Sequence, residues 1–353
     1  YLLAERLDRF SPLVRPRIAL EIERRILAPC RERDDFWWMG TRGNRVNNWN
    51  PWIVSNWLAC ALLVERDEAQ RAADVAKAVA VVDRFVAGYP ADGGCDEGPG
   101  YWGRAGASLL DCLELLHSAS GGALDVYDVP VVGEMGRFIS RVCIDGEWFV
   151  NFADASARVR VDPALVFRYG RAIGDGDLAA FGALKAREQG LGKEAVGGSI
   201  GRALAALVSL RELLAADAAW SPPGHVWLPD LQVLVARERP GSTDGFTLAA
   251  KGGHNDESHN HNDVGNLIVY LDGQPVLVDA GVGTYTAKTF SSRRYEIWTM
   301  QSAFHNLPTV NGVQQRAGRR FEARDVAFED LGDQGVALEL ELAGAWPAEA
   351  RLE

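Results

Sequence analysis

The chain has 353 residues, 47% of them apolar and 24% charged, with eleven Trp and a formal charge of −11. That length exceeds what one hydrophobic core readily serves, so two domains are expected, and the composition is that of a folded protein. The acidic balance argues against nonspecific nucleic-acid binding, which needs a basic field, and no run of about eighteen apolar residues is present to span a membrane.

Five cysteines (Cys30, Cys60, Cys95, Cys112, Cys143) fall in the first 143 residues without CxxC spacing, against a disulfide framework or thiolate zinc site. The chain starts at Tyr1 with no initiator Met or signal peptide and stops at Glu353 just after a strand-like pattern. It is therefore read as a segment of a longer protein, in which a missing targeting sequence carries no weight.

Up to about residue 216 the pattern is helical. In NNWNPWIVSNW (47–57), Asn50 is expected as N-cap with Pro51 at the first helical position, where no amide donor is needed. Asn48 is left over, either as a donor to an anionic ligand or in a loop-stabilising Asx turn. The stretch 65–89 carries Ala73, Val75, Ala76, Val79 and Ala80 at three-to-four spacing, and 104–117 repeats the habit. Between them, CDEGPGYWGRAG (95–106) makes a tight Gly98-Pro99-Gly100 loop that presents Tyr101 and Trp102, with Arg104 nearby, at the start of the next helix. Such a loop suits sugar stacking and anion binding, or serves as an aromatic plug between helices.

Around SPPGHVWLPD (221–230) the texture turns to β-like alternation, and LQVLVARE, GFTLAAK, NLIVYLDGQPVLVDAG, VAFED and GVALELEL read as strands. Asp272-Gly273 is a hairpin signal, because both residues tolerate positive φ. The expected domains are thus 1–221, helical, and 222–353, an antiparallel sheet or sandwich.

Three of the six histidines, His254, His259 and His261, fall within eight positions. If 259–263 is extended, His259, His261 and Asp263 share one side at roughly 6.5–7 Å intervals. Two further ligands are available: Asp279, ending the strand VLVD, and His305 in SAFHN. A bend at 262–265, permitted by Gly265, would bring them to His261 as a two-His, one-carboxylate zinc site. Polar residues at strand ends, with His305 packed beside Phe304, give an alternative account. In SSRRYEIWTMQSAFHN (291–306), Arg293, Arg294 and Tyr295 form a positive patch suited to carboxylate or sulfate, or a solvated surface pair.

Taken together, NNWN, GPGYW, SHNHNDVGN, LVDAG and SAFHN occur in an order that resembles the heparinase II/III-like polysaccharide lyases over most of the chain. The resemblance implies a multidomain α+β protein, an incomplete (α/α) toroid followed by an antiparallel β-sandwich. It places Tyr101 and His259 at the catalytic Tyr and His, and Asn48 where relatives put an Asn or His that contacts the substrate carboxylate. It places His261, Asp279 and His305 at the ligands of a zinc ion that orders the β-domain loops. Some relatives carry a His in the first motif where this chain has Trp49, which removes a possible second base. Trp49, Trp102, Arg104, Arg294 and Tyr295 are the expected substrate-binding residues.

The implied reaction is β-elimination on a uronic-acid-containing acidic polysaccharide, a glycosaminoglycan such as heparan sulfate first and alginate next. Removing the C5 proton requires neutralising the adjacent carboxylate, which is assigned to Asn48 helped by an Arg or His259. Tyr101 takes the C5 proton if cations lower its pKa and returns a proton to O4, while His259 serves the opposite epimer. The expected site is a cleft between domains, made positive by Arg42, Arg45, Arg104, Arg293 and Arg294 within an acidic chain. Two alternatives stand beside the lyase: a zinc hydrolase of a glycan ester or amide, and a noncatalytic glycan-binding protein. A periplasmic or secreted location is expected over a cytoplasmic one, and the oligomeric state is left open.

Overall fold

The computed structural model describes residues 11–43, 46–191 and 200–351, so Arg45 lies outside the described residues. The chain divides into two compact units, residues 1–89 with 104–129 and residues 90–103 with 130–353.

The first unit is helical. Helix α1 (Val14–Ile22) runs through a π-helical turn into α2 (Ala28–Glu32), followed by α3 (Trp49–Val64) and α4 (Glu68–Ala87). Asp67 caps α4 by accepting from the Gln70 amide at 2.8 Å. Helix α3 is apolar almost all round, which suits a helix buried among others. Its Val54, Trp57, Leu58 and Ala61 are fully buried, and it packs on α4 and on the helix 106–119.

The start of α3 differs from expectation. The helix begins at Trp49, and Asn47, not Asn50, supplies the side-chain oxygen, accepting from the Trp49 amide at 3.2 Å. Asn50 is fully buried, and its Nδ2 donates to the carbonyls of Trp38 (2.9 Å) and Val81 (3.0 Å). A carboxamide buried among apolar side chains must find such partners, so Asn50 staples three segments instead of capping one.

The second unit contains the short helix α5 (Pro99–Trp102) and, after the helix 106–119 (α6) of the first unit, α7 (Pro130–Arg141). A two-stranded hairpin follows, β1 (Cys143–Asp145) with β2 (Trp148–Phe149). The sequence pattern predicts helix here, but Asp145-Gly146 is a turn dipeptide and Gly146 takes φ +49°. Helices α8 (Pro163–Ala172), α9 (Gly176–Glu188) and α10 (Ile200–Ala215) then share an alanine-rich core with Phe167 and Leu213. Asp162 and Asp175 cap α8 and α9 through the Leu165 and Leu178 amides.

The main sheet is antiparallel with order β3-β4-β5-β7-β8, formed by His225–Leu228, Val233–Arg237, Phe246–Lys251, Leu267–Leu271 and Gln274–Leu277. Its register sets Val235 opposite Ala249 and Ala249 opposite Ile268, a buried row across one face. Asp272 (φ +50°) and Gly273 (φ +71°) turn the β7–β8 hairpin as the dipeptide predicts. Two smaller antiparallel pairs complete the unit: β6 (His254–Asn255) with β9 (Gly318–Glu322), and β10 (Arg324–Asp330) with β11 (Val336–Glu341).

Secondary structure changes between Ala215 and His225, near the expected 221/222 boundary, but packing divides the chain elsewhere. Helices α7 to α10 and the Tyr101 segment belong to the same compact unit as the strands. Among the described residues no helix is long and apolar enough to cross a membrane.

Candidate active site

In the second unit the predicted site residues His259, His261 and Arg294 meet at one residue that was not predicted, Asp154, with Tyr101 against His259 and with Asp279 and His305 grouped with His261. Asp154 lies in the irregular segment after β2, with its side chain wholly buried. The loop bearing Tyr101 rests on that segment. At Gly98, with φ +89°, a Cβ would stand 2.8 Å from the Ala155 Cβ and 2.9 Å from the Phe152 carbonyl. Only glycine permits both that conformation and that approach.

Residues 259–263 are not extended. After β6 the chain turns, and His259 adopts a left-handed φ of +55°, a strained state that persists only where surrounding contacts enforce it. Here the Ser258 amide donates to Asp96 at 3.1 Å and the Glu257 amide to the Asn260 side chain at 3.3 Å. The turn sends both imidazoles to one carboxylate: His259 Nδ1 is 2.7 Å from Asp154 Oδ2, and His261 Nε2 is 2.9 Å from Asp154 Oδ1. Asp263 departs from the expected strip. It is buried against Lys251 (2.9 Å), which also binds Glu257 (2.8 Å). Gly265 makes the expected bend at φ +87°.

Tyr101 and His259 are ring to ring, with centroids 4.3 Å apart. The Tyr101 hydroxyl is 2.5 Å from that of Tyr285, which donates to Asp154 Oδ2 at 3.0 Å. Burial, together with the Asp154 and Glu97 charges, raises the Tyr101 phenol above its ordinary value. The phenol is thus raised where lowering by cations is expected, because burial and the two carboxylates outweigh the Tyr285 bond and the Arg294 charge. Burial pushes Asp154 up, but the bonds from His259 and His261 and the Arg294 charge outweigh it and hold the carboxyl well below the usual range. Phe290 stands edge-on to both His259 and Tyr285.

Donor atoms of His261, Asp279 and His305 all lie within 4.8 Å of one another. Asp279 accepts from His305 Nδ1 (2.6 Å), Asn266 Nδ2 (2.6 Å) and the Gly281 amide (2.7 Å). Two nitrogens of this cluster, His261 Nδ1 and His305 Nε2, are buried without a hydrogen-bond partner among the described residues. Buried orphaned polar atoms call for a reason. Two imidazole lone pairs and a carboxylate converging in one dry spot are the donor set that a zinc ion takes, so these residues fit the metal.

Several expected substrate contacts are placed otherwise. Trp102 is 2% exposed, with Nε1 donating to the Met135 carbonyl at 2.6 Å, and is core. Arg294 is buried and spends its guanidinium on the Asn260 and Thr289 carbonyls and on Asp154. The Tyr295 hydroxyl accepts from Asn260 Nδ2 at 3.0 Å. Arg293 is paired to Glu296 at 2.8 Å on the surface. Arg294 and Tyr295 instead pin the histidine loop from beneath.

Asn48, Trp49 and Arg104 belong to the first unit. There Asn48 is buried at the N-terminus of α3. Trp49 is 46% exposed and meets Trp37 and Trp52, while the Arg104 guanidinium lies over the Trp52 ring at 4.4 Å.

Asp154, Tyr285 and Phe290 escaped the sequence reading. The motif NFADAS after the Asp145-Gly146 turn was a usable signal for a polar residue outside a helix. Tyr285, six residues beyond Asp279, had none.

Residues 227–349 match the family described as heparinase II/III-like, C-terminal. Among solved structures, a heparinase III is similar with TM-score 0.57 at 13% identity, covering 80% of this chain and 42% of its own. A heparinase III with methylated lysines is similar with TM-score 0.53 at 15% identity, covering 88% and 41%. The chain thus spans about two fifths of the length of the structures it matches. At such identities the likeness is one of fold, a mixed arrangement of helices and antiparallel sheets. No curated protein sequence matches the chain.

Proposed function

From the match of residues 227–349 to the heparinase II/III-like C-terminal family, we propose that the chain is a polysaccharide lyase of that family. Its substrate is a uronic-acid-containing acidic polysaccharide, a glycosaminoglycan before alginate, cleaved by β-elimination. In this reading the helices form part of an (α/α) toroid and the strands part of a β-sandwich. The observation that carries it is the pairing of a phenol with an imidazole, Tyr101 on His259, beside a three-ligand cluster.

In β-elimination a base removes the C5 proton, the freed electron pair forms the C4–C5 double bond, and O4 departs with a proton from an acid. Tyr101, kept protonated by its raised pKa, is suited to be the acid at O4. His259 is then the base at C5, since a general base needs a lone pair near the proton it takes. Asn48, by resemblance, donates its carboxamide to the uronate carboxylate. Charge neutralisation there stabilises the enolate-like intermediate, the largest kind of electrostatic contribution.

His261, Asp279 and His305 would hold zinc, and the ion would supply a fixed cross-link among three loop segments. The protein's own part is to keep His259, two residues from His261, facing Tyr101. Polymers of this kind cannot cross a membrane, which favours a periplasmic or secreted enzyme.

An ultraviolet assay on heparan sulfate, chondroitin, dermatan, hyaluronan and alginate tests the proposal. Unsaturated product from one of them, lost in Tyr101→Phe, supports it. A second reading, a zinc hydrolase, is favoured by the three-ligand set, which leaves a coordination position for water. It predicts saturated product and tolerance of Tyr101→Phe.

A further inference from the structure

We propose that Asp154 fixes the tautomers of both imidazoles, keeping His259 Nε2 open as a base and His261 Nδ1 open to a metal. The inference rests on the reading of these two histidines given under the proposed function.

The Asp154 side chain is fully buried, and four donors surround it. Oδ1 takes His261 Nε2 at 2.9 Å and the Arg294 guanidinium at 2.8 Å. Oδ2 takes His259 Nδ1 at 2.7 Å and the Tyr285 hydroxyl at 3.0 Å. An ionised carboxylate is an acceptor only, with about four lone-pair sites, and all four are filled. Each imidazole nitrogen facing it must therefore carry a proton. In a neutral ring the other nitrogen is then the lone pair.

For His261 that lone pair is Nδ1, the orphaned atom in the cluster with Asp279 and His305. For His259 it is Nε2, which faces Glu97 at 3.9 Å, beyond hydrogen-bonding distance. Arg294, by also donating to the Asn260 carbonyl at 2.9 Å, ties the carboxylate to the loop between the two histidines. Asp154 works through other side chains and is a positioning residue. An asparagine in its place would offer one acceptor oxygen and set an N–H against one of the imidazole N–H groups, so one ring would have to change tautomer or turn.

The test uses the full chain labelled with 15N-histidine. Two-bond proton–nitrogen spectra, before and after zinc, read each tautomer directly. The expected result is Nδ1–H for His259 and Nε2–H for His261. In Asp154→Asn one tautomer changes, zinc affinity in chelator competition falls about 10–100-fold, and kcat falls while KM stays within about twofold. Wild-type spectra with His259 in the Nε2–H form overturn the inference, as does Asp154→Asn with both tautomers and zinc affinity intact. The wild-type spectra need no variant, so poor folding of Asp154→Asn does not blunt the test. Absence of lyase activity in the wild type would remove the proposed function, yet the tautomer and zinc measurements would still decide the role of Asp154.

Discussion

The phenolic oxygens of Tyr101 and Tyr285 stand 2.5 Å apart, and Tyr285 passes its own proton toward Asp154. Tyr101 is therefore the donor in that contact, consistent with an acid held in its protonated form. Tyr101→Phe should lower kcat by about 10²–10⁴-fold, the range for general acid–base groups. Tyr285→Phe, which removes the acceptor for Tyr101 and one donor to Asp154 but leaves the phenol of Tyr101 in place, should cost less. Initial rates of unsaturated product formation decide between them, and equal losses would contradict the ordering.

Zinc bound only by the folded chain adds stability by mass action, about 2.7 kcal/mol at a concentration 100 times Kd. A chelator should accordingly lower the unfolding temperature of the wild type and leave His305→Ala, with a ligand removed, unaffected. Differential scanning calorimetry with metal analysis checks both. Activity lost on chelation with an unchanged unfolding temperature would argue for a catalytic ion instead.

Lys251 is buried between Glu257 and Asp263. Removing one partner of a buried ion pair leaves charge stranded and typically costs about 3–5 kcal/mol. Lys251→Met should show that loss in urea unfolding, because two carboxylates would remain without their cation beneath the histidine loop.

Asp175 has a depressed pKa: burial opposes the ionised form, but the Leu178 amide and Arg137 outweigh it. Its stabilisation is thus fully present above the ordinary carboxyl value and is lost as pH falls through the lowered one. Asn caps a helix about as well as Asp, so Asp175→Asn should be less stable than wild type at pH 7 chiefly through the lost Arg137 pair. The gap should narrow near pH 3, and urea midpoints at the two pH values measure it.

Much of the local structure followed from short-range chemistry. Asp67, Asp162 and Asp175 cap helices where their spacing to the next apolar run places them. Asp272-Gly273 turns a hairpin because both residues accept positive φ. The grouping of His261, Asp279 and His305 was also readable, since the chain has only six histidines and the bend at Gly265 was foreseeable. The chain's order of motifs was enough to suggest the heparinase II/III-like family.

What the residues alone left undecided was which of them face each other. A strand-like reading of 259–263 failed because His259 turns left-handed under the hold of Asp96 and Asp154, partners more than a hundred positions away. Arg294 looked like surface charge until the fold buried it against Asp154. Hydrogen bonds of that separation depend on loop closure and packing, not on local propensity. The sequence by itself determined most of the helices and strands, the Asp272-Gly273 turn and the stock of donor groups. Only tertiary structure decided that one carboxylate would bind both histidines, because that pairing exists only when distant segments are pressed into the same dry space.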